Sequence, residues 1–275
     1  MIARIHPLSL IDPAAQIADD AEIGPYCVVG PDVTVGSECH LVSHVHVSGW
    51  TSIGARTVVH PFVSLGGPPQ SIGYRGGRTR LIIGADCKIR EGVTISTGTE
   101  DGGGVTQVGD YCFLMAGSHV AHDCTVGSHV IFANNAVLGG HVHVGDHVVL
   151  GGQAAVRQHL RVGEGVMVVG LSGVRADVVP FGLASGPLAH LAGLNAVGLR
   201  RRGVSREQMR NLRRGYRALF HAAGAFRDRV DRVAADFPED PLIARVIAFI
   251  REGGHRPLTM PALRMDGREP SESAA

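Results

Sequence analysis

Hydrophobic residues recur every six positions along most of the chain. The series begins at Ile5, and each of the next ten positions in steps of six, through Leu65, is aliphatic. It returns after an interruption at Ile83, then restarts one residue out of register at Val108 and continues to Val174. A repeat this short is typical of a solenoid, because stacked short units bury one continuous core.

The other positions of the six-residue unit are also restricted. The residue after the aliphatic one is often glycine, as at Gly24, Gly54 and Gly127, and the fifth residue is usually small or β-branched. We interpret the unit as a short strand with two inward side chains, followed by a sharp turn that glycine makes more easily than other residues. The predicted fold class is therefore an all-β solenoid.

This unit resembles the hexapeptide repeat of the hexapeptide acyltransferases, and the resemblance implies a left-handed parallel β-helix. The handedness follows from the resemblance, since general rules of chirality favour right-handed crossovers. In that fold three hexads form one triangular coil, so residues 18 apart stack about 4.8 Å from each other.

All five cysteines fall on the fifth position and are expected to be interior residues. No two are separated by a multiple of 18, so none is expected to stack on another.

Beyond Pro180 the hexads stop and apolar residues follow the three- and four-residue steps of a helix. Ser205 is a favourable N-cap for a first helix that continues to about Phe220, and a second helix is expected over about 241–251. These elements predict a C-terminal α-helical domain after the β-helix.

The predicted domains are therefore a β-helix over 1–186 and a helical domain over 187–275, whose tail from Gly267 is expected to be disordered. The chain has 26 Lys and Arg against 25 Asp and Glu, and this net charge of +1 gives no reason to expect nucleic-acid binding. No apolar run approaches the roughly 20 residues of a membrane span, and the N-terminus lacks the features of a signal peptide. We expect a cytoplasmic protein.

Two glycine-rich insertions interrupt the solenoid, one at about 66–80 and the other at 100–107. Excursions from a rigid scaffold are common positions for binding loops, and the alternative is an insertion that the fold merely tolerates.

Histidines are dense in the second half of the repeat region. Eighteen residues beyond His122 lies Gly140. The same step leads from Asp123 to His141, so these four residues are predicted to form one patch on adjacent coils. Gln158 lies one coil further.

Such a patch has the parts of an acyl-transfer site. An imidazole can take a proton from an attacking hydroxyl, and a neighbouring carboxylate can fix its tautomer. A backbone N–H at a glycine can hold the developing oxyanion. Two other interpretations stay open at this point: solvated surface histidines, and a metal site with ligands from His119, His122, His141 and His143.

At the level of longer motifs, the chain resembles the UDP-N-acetylglucosamine O-acyltransferases, which depend on acyl carrier protein and act first in lipid A synthesis. The resemblance extends to about Phe220. It rests on Ile23-Gly-Pro-Tyr-Cys-Val-Val-Gly-Pro, Ile89-Arg-Glu-x-Val-Thr-Ile, Gly102-Gly-Gly, Ala121-His-Asp-Cys-Thr-Val-Gly, Ala133-Asn-Asn-Ala and Gly198-Leu-Arg-Arg-Arg-Gly.

The resemblance implies transfer of a 3-hydroxyacyl chain from acyl carrier protein to the 3-hydroxyl of UDP-N-acetylglucosamine. It also implies a homotrimer with active sites between neighbouring solenoids. No bound metal or cofactor is implied, because the donor carries its own phosphopantetheine.

Individual residues match the family's functional positions. His122 matches the general base, Asp123 its partner and Gly140 the oxyanion donor. Gly170 falls where residue size gates the acyl-chain groove, and a glycine there implies an open groove for a longer chain. Substrate-binding positions are matched by His119, His141, Gln158, Arg157, Tyr74, Asn195, Arg201 and Arg202.

Four positions depart from the family pattern. Ser71 and Gly73 stand where the family carries an acidic residue and a lysine, and Ser96 and Arg157 replace histidines. All four lie on the sugar-nucleotide side, so the acceptor is less well defined than the reaction. The alternatives are N-acylation of a 3-amino sugar nucleotide, acetyl transfer from acetyl-CoA, and a metal-binding or non-catalytic trimeric scaffold.

Overall fold

The computed structural model describes residues 3–262. In chain order, the strands are β1 (Arg4–Ile5), β2 (Leu10–Ile11), β3 (Gln16–Ile17), β4 (Glu22–Ile23), β5 (Val28–Val29), β6 (Thr34–Val35), β7 (His40–Leu41), β8 (His46–Val47), β9 (Trp50–Ile53), β10 (Val58–Val59), β11 (Ser64–Gly67), β12 (Arg80–Ile83), β13 (Lys88–Ile89), β14 (Thr94–Ser96), β15 (Val105–Val108), β16 (Phe113–Leu114), β17 (His119–Val120), β18 (Thr125–Val126), β19 (Ile131–Phe132), β20 (Val137–Leu138), β21 (His143–Val144), β22 (Val149–Leu150), β23 (Ala155–Val156), β24 (Arg161–Val162), β25 (Met167–Val168), β26 (Gly173–Val174), β27 (Gly182–Ser185) and β28 (His190–Leu194).

Each coil contributes one strand to each of three sheets, and each strand pairs in parallel with the strand one coil away. The first sheet runs from β1 through β4 and β7 to β27, the second from β2 to β26, and the third from β3 to β24. At the end of the first sheet, β28 pairs antiparallel with β27. This arrangement is the predicted left-handed parallel β-helix with a helical C-terminus, and the prediction is confirmed.

The three sheets form a triangular prism, and the hexad pattern follows from which side chains point into its interior. In β4, β17 and β23 the second residue is buried while the first faces outward. The second residues and the small fifth-position residues form one core along the length of the solenoid. Burial of these apolar side chains is the main favourable contribution to the stability of the coils.

The glycines of the repeat have a different role from the predicted one. The left-handed turn falls on the fourth hexad position, and among residues 3–262 there are 16 non-glycine residues with positive φ, including Asp123 at 59° and His141 at 60°. The second-position glycines lie against the next coil, where a Cβ on Gly24 would overlap the carbonyl oxygen of Val42. The expectation that glycine makes the turn is therefore wrong, because close stacking of the coils is what requires glycine.

The five cysteines are buried free thiols, but two of them stack. Lys88 pairs with Phe113 across β13 and β16, which sets Cys87 beside Cys112 although 25 residues separate them. The second insertion lengthens this coil, so the expectation that no cysteines stack is wrong. Contact with Cys112 lowers the pKa of Cys87, whereas contact with Cys87, together with burial, raises the pKa of Cys112.

Four helices follow the last strand within the described residues: α1 (Ala196–Arg201), α2 (Arg206–Phe220), α3 (Phe226–Asp236) and α4 (Pro241–Gly253). The two predicted helices are confirmed as α2 and α4. The Ser205 hydroxyl accepts from the Gln208 amide in a capping box, and Asp240 caps α4. The sequence missed α1, which is one and a half turns long, and α3, whose N-cap Ala225 offers no side-chain hydrogen bond.

The helices pack around a second apolar core that includes Phe181 from the end of the solenoid. Among residues 3–262, no helix has the length and apolar character needed to cross a membrane. The predicted division at 186 and 187 falls in the turn between β27 and β28 and stays a prediction. The tail expected to be disordered from Gly267 lies outside the described residues.

Candidate active site

Three connections meet along one edge of the prism. The first insertion joins β11 to β12, the second joins β14 to β15, and the turn that contains His122 and Asp123 joins β17 to β18. Each leads from the second sheet to the third, so they stack along one edge, which we call the site corner. The two insertions and the predicted histidine patch therefore lie in one place, although up to about 55 residues of sequence separate them.

His122 and Asp123 form a hydrogen-bonded pair at this corner. Nδ1 of His122 lies 2.8 Å from Oδ2 of Asp123, whose side chain is only 1% exposed. An ionised carboxylate can only accept hydrogen bonds, so Nδ1 donates, and in the neutral imidazole the lone pair is then on Nε2. The unshared nitrogen of His122 is therefore the one that can take a proton from a substrate.

The connection between β14 and β15, which contains most of the second insertion, holds the Asp123 carboxylate in place. The Thr99 backbone N–H donates to Oδ1 at 2.9 Å, and its hydroxyl donates to Oδ2 at 2.6 Å. The Thr106 hydroxyl accepts from the Asp123 amide at 2.9 Å. A Cβ on Gly102 would overlap the carboxylate, which explains why a glycine occupies this position. Thr99 and Thr106 were missed by the sequence analysis, because neither lies a multiple of 18 residues from Asp123.

Gly140 lies directly against the imidazole of His122. A Cβ at this position would stand 2.5 Å from Cε1 and 2.7 Å from Nε2 of His122, so only glycine permits the approach. The Gly140 N–H donates to no residue within 3–262, and the same holds for Gly152 at the equivalent turn position of another edge. A free N–H is thus common at these turns, and the contact with His122 is what distinguishes Gly140.

Further histidines surround the pair. The His141 ring meets the His122 ring edge-on at 5.0 Å between centroids and stacks on His159 at 4.4 Å. His119 Nδ1 lies 2.7 Å from the Thr94 hydroxyl oxygen. Burial lowers the pKa of both His119 and His141, which favours their neutral forms.

The alternative metal-ligand set differs from the group that the structure brings together. Among residues 3–262, the one group of three side chains close enough to share an ion is His122, Asp123 and His141; it contains neither His119 nor His143. The Asp123 carboxylate already accepts hydrogen bonds from His122 and from both the amide and hydroxyl of Thr99. This arrangement suits a proton-transfer pair better than a metal site, since three hydrogen bonds already use most of the carboxylate's acceptor positions.

Other predicted residues lie along the same corner. Gln158 and Arg157 are exposed one coil below Gly140. Tyr74 belongs to the first insertion, where its hydroxyl donates to the Gly77 carbonyl at 3.1 Å. The Gly77 amide donates to Oε1 of Glu100 at 2.6 Å, which ties the first insertion to the second.

The residues predicted to hold the nucleotide lie on a different edge. Asn195 donates to the carbonyl of Gly165, in a turn from the third sheet to the first, and also caps α1. Arg202 pairs with Glu164 at 2.6 Å, and Arg201 is exposed. One chain therefore does not bring these three residues together with His122.

Gly170 lies on the third edge, in the turn from β25 of the first sheet to β26 of the second. A Cβ there would stand 3.1 Å from the carbonyl oxygen of Gly152. On the adjoining second sheet, the outward residues of β20, β23 and β26 are small, namely Val137, Ala155 and Gly173.

The chain matches two family models. One is described as the bacterial transferase hexapeptide (six repeats) and matches residues 14–49 and 106–140. The other is described as UDP N-acetylglucosamine O-acyltransferase, domain 2, and matches residues 177–259. One model thus matches the solenoid and the other matches the C-terminal helical region.

Curated relatives match over almost the full length. The chain is 52% identical to an acyl-[acyl-carrier-protein]–UDP-N-acetylglucosamine O-acyltransferase of Caulobacter vibrioides, over 94% of this chain and 98% of the relative. It is 51% identical to the protein of the same name from Azorhizobium caulinodans, over 95% and 96% of the two chains.

Solved structures agree. The UDP-N-acetylglucosamine O-acyltransferase of Moraxella catarrhalis superposes with a TM-score of 0.89 at 37% identity, over 93% of this chain and 99% of that one. The UDP-N-acetylglucosamine acyltransferase of Campylobacter jejuni superposes with a TM-score of 0.88 at 35% identity, over 95% and 100%. This chain belongs to the acyl-[acyl-carrier-protein]–UDP-N-acetylglucosamine O-acyltransferase family.

Proposed function

We propose that this protein transfers a 3-hydroxyacyl chain from acyl carrier protein to the 3-hydroxyl of UDP-N-acetylglucosamine, with His122 as the general base. The observation that carries the proposal is the hydrogen bond from His122 Nδ1 to the buried Asp123 carboxylate, with Gly140 packed against the same imidazole. Family membership supplies the reaction class, and this pair is the group at the site corner best placed to perform it.

The reaction requires one proton to move twice. Nε2 of His122 takes the proton of the acceptor hydroxyl while the oxygen attacks the thioester carbonyl carbon, forming a C–O bond. The carbonyl oxygen becomes an oxyanion that the Gly140 N–H can stabilise. When the C–S bond breaks, His122 returns the proton to the leaving thiolate, and the ester and the free thiol are released.

Asp123 orients the imidazole and stabilises its protonated form during this cycle. Its near-complete burial makes the interaction with His122 stronger than it would be in water, and the hydrogen bonds from Thr99 offset the cost of burying the charge. We propose Thr99 as a positioning residue that acts through Asp123.

The hydroxyl acceptor is favoured over a 3-amino sugar because the curated relatives are named O-acyltransferases at 52% and 51% identity. The departures at Ser71, Gly73 and Ser96 then concern how the acceptor is held. Ser96 is buried and paired with Gly67 of the neighbouring strand. Its short side chain does not extend as far as the histidine that the family pattern has at this position.

We further propose a homotrimer whose active sites combine two chains. Asn195, Arg201 and Arg202 can hold the diphosphate next to His122 only if they come from a neighbouring copy, because they lie on another edge of their own chain. Tyr26 and Phe62 are more than half exposed on the edge between the first and second sheets. Such a row of exposed apolar side chains suits contact with another subunit. A mass of one chain, 28.9 kDa, in light scattering would contradict this.

We also propose that the acyl carrier protein docks on α2. Within residues 3–262, five exposed arginines of α2 form no ion pair with a carboxylate, and they suit a carrier protein with an acidic docking surface. They are Arg206, Arg210, Arg213, Arg214 and Arg217.

We propose that the donor brings the only prosthetic group, and that its acyl chain lies along the small residues near Gly170. The cytoplasmic location stays a prediction.

The test is product analysis with a 3-hydroxyacyl carrier protein and UDP-N-acetylglucosamine. Mass spectrometry is expected to find a product heavier by one hydroxyacyl group, and His122→Ala is expected to lower turnover by roughly 10³-fold or more. His143→Ala is the matched control, since His143 is exposed on the adjoining third sheet and is expected to retain activity. Substantial turnover by His122→Ala would refute the role of the base.

A further inference from the structure

A cavity of about 500 Å³ lies at the end of the site corner nearest the helices. Arg157 and Arg175 form its polar wall. The opposite wall is apolar and comes from the chain that returns to the solenoid, with Leu188, Pro257 and Met260 among its residues. The cavity is open to solvent and combines two cations with apolar side chains, of which Leu188 and Met260 are exposed.

The two arginines are neighbours on adjacent coils. Val156 pairs with Val174, so Arg157 and Arg175, the next residues, lie about 4.8 Å apart at the backbone. Like charges directly opposite on paired strands destabilise a sheet. Within residues 3–262, neither guanidinium forms an ion pair, and none of the described residues that line the cavity is acidic.

The nearest carboxylate is already neutralised. Asp177 is fully buried and accepts from Arg161 Nε at 2.7 Å and from Arg256 Nε at 3.0 Å. These contacts clamp the returning segment onto the solenoid, since the Thr259 amide also donates to the Asp177 carbonyl at 2.7 Å. Asp177 therefore has no remaining capacity to compensate Arg157 and Arg175, and the cavity keeps a net positive charge.

We propose that Arg157 and Arg175 bind a phosphate ester, specifically the phosphodiester that links pantetheine to the carrier protein. This inference rests on the proposed function for its donor. Two planar guanidinium groups side by side can each give parallel hydrogen bonds to phosphate oxygens. Arg157 lies two coils and Arg175 three coils beyond His122, about 10 Å and about 14 Å along the corner, so a pantetheine arm anchored there is long enough for its thioester to reach the base.

The experiment compares two small donors, an acyl-phosphopantetheine and the acyl-pantetheine that lacks the phosphate. Wild type is expected to favour the phosphorylated donor by roughly 10- to 100-fold in kcat/KM, the range of one or two charged hydrogen bonds. Arg175→Ala and Arg157→Ala are expected to lose most of this preference and to raise the KM for the acyl carrier protein. Arg227→Ala, which removes an exposed arginine from α3, is the control.

The results separate the possible sources of the phosphate. Loss of donor discrimination in Arg175→Ala, with acyl-pantetheine turnover unchanged, supports the proposal. An unchanged preference and an unchanged KM for the carrier protein would overturn it. So would a rise in the KM for UDP-N-acetylglucosamine alone, which would assign the pair to the acceptor diphosphate, or a change of oligomeric mass, which would assign it to a subunit contact. If wild type acylates no acceptor from the carrier protein either, the proposed function itself has failed.

Discussion

Stacked aromatic rings follow two edges of the prism. At the site corner, the His141 ring lies over His159 with centroids 4.4 Å apart. On the edge from the third sheet to the first, Tyr111, His129 and His147 stack at 4.8 and 4.7 Å. In both rows the residues occupy the left-handed turn position, so the same backbone geometry directs each ring outward.

The two edges differ in what surrounds the nearest carboxylate. Asp123 is buried by the second insertion, and its carboxylate bonds an imidazole. On the other edge Asp146 is exposed, and its carboxylate accepts from the Ser128 amide at 2.7 Å in place of a histidine. Dense histidines alone therefore do not make an active site. What distinguishes the proposed site is the insertion, which encloses one carboxylate beside one imidazole.

The largest expected difference between the edges comes from removing one carboxylate from each. Asp123→Asn is expected to lower kcat by roughly 10²- to 10⁴-fold, because an amide that donates to Nδ1 puts the proton of His122 on Nε2, where the lone pair is needed. Asp146→Asn is expected to change kcat less than about twofold. Similar kcat values for the two variants would remove the distinction between the edges.

Gly140→Ala tests the contact between the turn and the base. The new Cβ would crowd the His122 ring at 2.5 Å while the backbone N–H stays in place. A shift of the imidazole of this order is expected to cost roughly 10- to 100-fold in kcat. Gly30→Ala, where the nearest atoms would stand 3.6 Å away, is the control and is expected to be active. A fully active Gly140→Ala would contradict the packed geometry.

Thr99→Val tests whether the second insertion acts through Asp123. The variant keeps the backbone N–H but loses the hydroxyl bond to Oδ2, and kcat is expected to fall by roughly 10-fold with the KM for both substrates nearly unchanged. Thr99→Ser, which restores the hydroxyl, is expected to recover most of the activity. Equal loss in both variants would indicate a packing role only.

The smallest expected effect is on stability at acid pH. Burial keeps the pKa of His119 below its ordinary value near 6.5, so the unfolded chain takes up a proton first. The stability that comes from the neutral, folded form is complete above that value and is lost as pH falls through it. In urea unfolding, His119→Asn is expected to lose less stability than wild type between about pH 7.5 and about pH 5.5. His143→Asn, at an exposed position, is expected to behave like wild type.

The repeat made most of the fold predictable. Because each coil buries one aliphatic and one small residue per strand, the sequence alone indicates the solenoid, and the stacking interval brings Gly140 beside His122. The prediction from the repeat failed where the stacking interval is no longer 18 residues. The second insertion lengthens one coil, so Cys87 lies beside Cys112 across 25 residues. α3 was missed for a local reason, since Ala225 provides no N-cap side chain.

The chain's own order of residues thus determined the fold class, the two capped helices and the pairing of His122 with Asp123, because each depends on neighbours in sequence or on a regular period. Only the tertiary structure decided that Thr99 holds Asp123, that Asn195 and Arg202 lie on another edge, and that Arg157 and Arg175 share a cavity with the returning C-terminal segment. These contacts join segments whose separation follows no period, and their energies arise from burial and charge that exist only after the chain has folded.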